Sequence, residues 1–125
     1  MSTYKDFHEL EIWKDGFSLL MQIYTISETF PSFEKYALTS QVIRSANGII
    51  ANIAESHGRF SYQDQIRVLY IARGEITETR SHLAVAFGQK YISTEKFTEL
   101  NDGYVSLAKR LNAYISGIQK NKFQK

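Results

Sequence analysis

The chain has no cysteine, which excludes disulfide staples and thiolate chemistry and is compatible with a reducing compartment. It has one proline, Pro31, so only one point carries a strong built-in helix stop. No segment approaches the ~20 consecutive apolar residues that span a bilayer. The opening MSTYKDFHELEIW carries early acids and no apolar run, unlike a signal peptide, and a cytoplasmic home is expected. The glycines are scattered, so there is no phosphate-cradling loop. Net charge is small, 15 basic against 13 acidic residues.

Metal and catalytic arrangements are equally sparse. None of the three histidines, His8, His57 and His82, has a second histidine at i+3 or i+4. Glu55-Ser56-His57 has the wrong spacing for the Glu-x-x-His pairs of di-iron bundles, and Thr79-Arg80-Ser81-His82 lacks the carboxylate. Glu78 and His82 form an isolated i,i+4 pair. Adjacency of Ser56 and His57 does not poise a base beside a nucleophile. No metal, no cofactor and no catalytic residue are expected, and the chain reads as a non-enzyme.

What is present is helical periodicity. The 125 residues, 43% apolar and 14% aromatic, suit one domain with a real core. Everything is organised around Gln41 to Arg59, QVIRSANGIIANIAESHGR. Val42, Ala46, Ile49, Ile50 and Ile53 recur at helical spacing as an apolar stripe. Gln41, Arg44, Gly48, Asn52, Glu55 and Arg59 occupy the opposite face. Four helices are expected, at about 9–28, 33–58, 62–90 and 94–119, with a basic, frayed tail at 121–125. Ser32 is expected to cap the second helix, Gly58 to end it in a left-handed cap, and Ser61 to open the third. The last helix has the cleanest seam: Phe97, Leu100, Tyr104, Leu107, Leu111, Tyr114 and Ile118. Short links force neighbours antiparallel, giving a single-domain all-α fold, an up-down-up-down four-helix bundle.

Two helices carry more apolar surface than one core needs. The first has a seam of Trp13, Phe17, Leu20 and Tyr24 and another of Ile12, Leu19, Ile23 and Ile26. The third has Val68, Tyr70 and Ile71 off its stripe of Ile66, Leu69, Ile76, Leu83 and Phe87. Ile12, Leu19, Ile23, Ile26, Val68 and Ile71 are therefore candidates for an oligomer interface. Arg73 and Arg80 fall inside the third helix's stripe. Either they join a buried polar network, for which Gln41, Arg44, Asn52, Glu55, Arg73 and Glu78 are candidates, or they keep their heads wet at the stripe's edge. Gly48 is expected to mark close helix approach.

Charge is unevenly spread. Residues 1–30 hold three more acids than bases, and residues 93–125 three more bases than acids. Arg59, Arg67, Lys109, Arg110, Lys120 and Lys122 are candidate contacts to RNA or DNA.

The segments FHELEIWKDGFSLL, FPSFEKYALTSQVIRSANGIIANIAESHGRFS and IRVLYIARGEITETRSHL resemble the intervening-sequence four-helix-bundle family, associated with bacterial 23S rRNA genes. The likeness covers roughly Phe7 to Tyr91, with Gln41, Arg44, Asn52, Glu55, Gly58, Arg59, Arg73, Gly74 and Glu78 on matching positions. The chain departs from the family pattern at Ser45, Ser56 and Glu75. Related bundles serve as accessory proteins beside reverse transcriptases in diversity-generating retroelements. The resemblance implies a homopentamer with a basic surface and no established catalytic residue. The expected function is non-enzymatic: an oligomer that binds RNA or structured nucleic acid through basic residues. The alternative is a protein-interaction scaffold or accessory subunit for a partner such as a reverse transcriptase.

Overall fold

The computed structural model describes residues 5–123. Four helices follow one another: α1 (Glu11–Ser27), α2 (Leu38–His57), α3 (Tyr62–Gly88) and α4 (Thr94–Phe123). Among the described residues there is no strand. Each helix packs on its chain neighbours, and α4 closes the ring against α1. The expected antiparallel four-helix bundle is the observed fold.

Local hydrogen bonding sets the helix ends. Ser61 Oγ accepts from the Asp64 N–H at 3.1 Å and caps α3. Ser93 Oγ accepts from the Lys96 N–H at 3.1 Å and caps α4. The start of α2 departs from expectation. Ser32 lies in a short 3₁₀ turn (Ser32–Glu34), and Ala37 leaves helical geometry (φ −122°, ψ −107°) before α2 begins at Leu38. Glu34 does the capping instead. One of its oxygens accepts from the Leu38 N–H at 3.3 Å, the other from the Tyr91 hydroxyl at 2.9 Å. The α2 start is thereby tied to the α3–α4 link.

Gly58 does not adopt the left-handed cap; its φ is −86°. The left-handed residue is Lys90 (φ 65°). It ends α3 in a Schellman arrangement, with Tyr91 N–H donating to Ala86 O and Lys90 N–H to Phe87 O, both at 2.9 Å. The last helix continues past 119 to Phe123, so the expected fray does not begin at 121.

The core is built from the predicted stripes of α2, α3 and α4, except that Phe87, expected in the α3 stripe, is 38% exposed and stacks on Phe97 with ring centroids 4.9 Å apart; a further correction falls on α1. Val42, Ala46, Ile49, Ile50 and Ile53 are buried, as are Ile66, Leu69, Ile76 and Leu83 and, on α4, Leu100, Tyr104, Leu107, Leu111 and Ile118. On α1 the aliphatic seam faces inward: Ile12, Leu19, Ile23 and Ile26 join the core, with Ile23 fully enclosed. Val68 is also buried. Five of the six candidate oligomer residues are therefore already covered within the monomer, and only Ile71 lies at the surface, 46% exposed. Of the other α1 seam, Leu20 is buried and Trp13 half-buried, so the outward face is formed by Phe17 and Tyr24 together with Met21, each at least 40% exposed. A charge placed at Ile23 would unfold the bundle rather than split an assembly.

Two glycines permit the close approach of α1. A Cβ on Gly16 would stand 2.5 Å from Ile50 Cγ2, and one on Gly103 would stand 2.6 Å from Leu19 Cδ2. Ile50 is β-branched and has little rotamer freedom in a helix, whereas the end of Leu19 can rotate away. Gly16→Ala is expected to lower the free energy of unfolding by about 1–3 kcal/mol. Gly103→Ala is expected to stay within about 1 kcal/mol of the parent, because alanine's helix propensity offsets the crowding. Urea denaturation measures both, and a larger loss at Gly103 than at Gly16 would contradict this packing.

Candidate functional surfaces

The polar face of α2 does not form the buried network that the sequence suggested. Its members divide into short-range contacts near solvent. Arg44 donates to Gln41 Oε1 at 2.7 Å, and Arg59 pairs with Glu55; both contacts are exposed. Asn52 donates to the Gly48 carbonyl of its own helix at 2.8 Å. Glu78 stands 3.6 Å from His82 Nε2 on α3. Arg73 reaches α4 rather than α2. The reason is register: α3 turns Arg73 and Arg80 toward α4, on the side away from Glu55 and Asn52.

Gly48 does mark a close approach, but to a side chain. A Cβ there would stand 3.0 Å from the Glu75 carboxyl carbon. Glu75 is partly desolvated in this notch, and burial pushes its carboxyl above the usual range, helped by Glu78 and opposed by Arg44.

The buried polar contact between helices involves residues outside the candidate network. Ser45 on α2 and Thr79 on α3 are both fully buried, and their hydroxyls are 2.8 Å apart. Each also lies within reach of a carbonyl of its own helix, Ser45 Oγ 3.2 Å from Val42 O and Thr79 Oγ1 2.9 Å from Glu75 O, so one hydroxyl donates across the pair while the other donates to its own helix. Ser45 was visible in sequence only as a departure from the family pattern. Ser56, another departure, is buried and bonded to the Ile53 carbonyl at 2.8 Å.

The candidate cations fall into two groups. Arg59, Arg67 and Arg110 each have a carboxylate partner: Glu55, Asp64 at 3.5 Å and Asp15 at 2.8 Å. Lys109 and Lys120 are exposed on α4 and pair with no described carboxylate. The side chain of Lys122 lies outside the described residues.

Between α3 and α4 the structure assembles contacts that no sequence motif announced. Arg73 Nη1 donates to Asn112 Oδ1 at 3.1 Å, and Arg80 Nε donates to Asn101 Oδ1 at 2.9 Å. Gln119 Nε2 donates to the Tyr70 hydroxyl at 3.4 Å. The Arg73 guanidinium lies over the Tyr70 ring, 4.6 Å from its centroid. Both arginines thus sit at the stripe's edge, Arg73 exposed and Arg80 half-buried, with neutral amides as partners. The antiparallel pairing of α3 and α4 could not be registered residue by residue from sequence alone.

Among the described residues no group of three or more His, Asp or Glu side chains is placed to hold a metal ion. No described helix is long and apolar enough to cross a membrane.

The fold and these surfaces define an all-α four-helix-bundle protein. Within that class the chain belongs to the 23S rRNA-intervening sequence protein family, whose family model matches residues 8–113. A solved structure of similar fold is a Bacteroides thetaiotaomicron protein of unknown function from the S23 ribosomal protein family. It is 26% identical, with a TM-score of 0.77 over 83% of this chain and 97% of that one. No curated protein matches.

Because Arg73 is exposed and its amide partner is uncharged, Arg73→Ala is expected to change stability by no more than about 0.5 kcal/mol. The buried hydroxyl pair should behave differently. Thr79→Val removes the inter-helix hydrogen bond but leaves Ser45 the Val42 carbonyl, so it is expected to cost about 0.5–1.5 kcal/mol, and adding Ser45→Ala should bring no further loss. Thermal melts of the three variants test both statements. A large drop for Arg73→Ala, or a double variant weaker than Thr79→Val, would contradict them.

Proposed function

We propose that this protein is a non-enzymatic, self-associating helical bundle that binds RNA or structured nucleic acid. The observation that carries the reading is the distribution of unneutralised charge. Arg59, Arg67 and Arg110 are each matched by an acid, whereas Arg73, Arg80, Lys109 and Lys120 pair with no described carboxylate, as is also true of Lys5, Lys35, Arg44 and Lys90 elsewhere on the surface. Arg73 and Arg80 face α4 across the α3/α4 side, and Lys109 and Lys120 add charge to the outer face of α4. Repetition of that side in an assembly, such as the pentamer implied by family resemblance, multiplies weak phosphate contacts. The family's description, which refers to 23S rRNA intervening sequences, supports an RNA setting without naming a ligand. A cytoplasmic location belongs to the same proposal.

The second reading is a protein-interaction scaffold, an accessory subunit for a partner such as a polymerase or reverse transcriptase. The α1 surface favours it. Phe17, Met21 and Tyr24 recur at i, i+4 and i+7 on the outer face, and Phe17 stacks on Trp13 with ring centroids 5.2 Å apart. A stripe of this kind serves self-association and a foreign partner equally well.

Fluorescence anisotropy with RNA and DNA across a salt series separates the readings. Binding that weakens steeply with salt is expected. Absence of binding at low salt would transfer the weight to the scaffold. A Phe17→Ser, Tyr24→Ser double variant is expected to lower the mass seen by light scattering while keeping its helical circular dichroism. An unchanged mass would remove α1 from the interface.

A further inference from the structure

We infer that the groove between α3 and α4 is a binding site for a single-stranded nucleic-acid segment, with Arg73 and Arg80 as phosphate contacts and Tyr70 as a stacking platform. The inference rests on the nucleic-acid reading above and gives it a place and a class of ligand.

Three observations carry it. The first is the chemistry of the partners. A carboxylate neutralises a guanidinium and must be displaced before a phosphate binds. Asn112 and Asn101 align Arg73 and Arg80 without neutralising them. A guanidinium has five N–H donors. Arg80 uses Nε for Asn101, which leaves both Nη groups for a ligand, and Arg73 uses Nη1, which leaves Nη2 and Nε. The amides act as positioning residues that hold each fork in place.

The second is the aromatic. Tyr70 is 42% exposed, lies under the Arg73 guanidinium and borders a depression at the start of α3 that it shares with Ser61, Gln63, Asp64, Ile66 and Arg67. Thr77, Arg80, Ala84, Phe97 and Asn101 line a second depression farther along the same groove. An aromatic ring between cations can stack on a base only where that base is unpaired, so the arrangement suits a single strand better than a duplex.

The third is spacing. Arg73 and Arg80 are two helical turns apart, ~10 Å along α3. On α4, Lys109 stands one turn before Asn112 and is exposed, whereas Lys120 borders a different depression, with Ala113, Tyr114 and Ile118. Acids on the flanking helices include Asp64, paired with Arg67, Glu78, which lies between Arg73 and Arg80 in sequence and faces His82, and Asp102, which follows Asn101. None of them pairs with Arg73 or Arg80, whose side-chain hydrogen-bond partners are Asn112 and Asn101.

The test compares a short fluorescein-labelled single-stranded RNA with a duplex of the same sequence, using the full chain. The parent is expected to bind the single strand more tightly. Tyr70→Ala is expected to weaken single-strand binding about tenfold and to leave duplex binding nearly unchanged. Arg73→Gln with Arg80→Gln is expected to weaken binding tenfold or more and to reduce the salt slope by about 1.4, two phosphate contacts on a single strand. Arg73→Lys with Arg80→Lys keeps the charge but loses the fork, and should fall between the two. Circular dichroism melts confirm that each variant is folded.

If the parent binds RNA and all these variants bind like it, the groove is not the site. Loss of binding on Lys109→Gln with Lys120→Gln alone would then place the contact on α4, with the nucleic-acid reading intact. If the parent binds neither probe at low salt, that reading fails and this inference with it. A duplex preferred over the single strand would overturn the ligand class.

Discussion

Two hydroxyls with no access to water, Ser45 on α2 and Thr79 on α3, lie 2.8 Å apart. Sliding α3 along α2 by one turn would part them and leave each hydroxyl only the carbonyl of its own helix, so this contact favours one register by about 0.5–1.5 kcal/mol among those the apolar stripes allow. Small residues make the contact reachable: Ala46 beside Ser45, and Ala72 and Ala86 on α3, are all buried. With α3 fixed on α2, its Arg73/Arg80 edge is delivered to α4, where Asn112 and Asn101 wait. The α3/α4 surface is thus a consequence of a contact on the opposite side of α3.

The first helix answers to a different constraint. It has more apolar positions than one interior face accepts, and packing decides which seam turns inward. Gly16 brings α1 against Ile50, and Gly103 brings α4 against Leu19. At that separation the aliphatic side chains of α1 fill the interior beside the buried ring of Tyr104. Ile12, Leu19, Ile23 and Ile26 therefore go inside, while Phe17, Met21 and Tyr24 stay out. Trp13 lies between the two zones, stacked on Phe17 and met edge-on by Phe7 at 5.5 Å. The outer aromatic row is what remains after a well-filled core has been built, and its exposure makes it available for association.

Much of the architecture was legible in the sequence, because helical period, caps and short links are local signals. The α4 seam, the α2 stripe and the Ser61 cap could be read directly. The α2 start was not, because its acceptor is a glutamate four residues ahead of Leu38, held by Tyr91 from the far side of the bundle. Nor was the α3 terminus: Lys90, not glycine, takes the left-handed position. The two α1 seams were visible as a pair, but periodicity does not say which is inside. Gly16, one turn before Leu20 and opposite Ile50, was the available clue. The buried network failed for the same reason as the surface ladder was missed. Partners on different helices depend on register, and register here depends on Ser45 and Thr79.

The treatment of arginine separates the surfaces by purpose. Exposed pairs such as Arg67 with Asp64 contribute ~0–1 kcal/mol to stability. Their main effect is to cancel charge near the α1 and α3 starts. Arg73 and Arg80 gain even less from neutral amides, and a buried carboxylate partner would have held them more firmly. A bundle optimised for stability alone has little reason to hold two guanidiniums in fixed positions with their charge uncancelled. Steering of an anion depends on the local field rather than on the total. A chain of net charge +2 can therefore present an unbalanced cationic side while most of its surface remains mixed. Asn112 and Asn101 order the Arg73 and Arg80 forks while leaving their charge uncancelled.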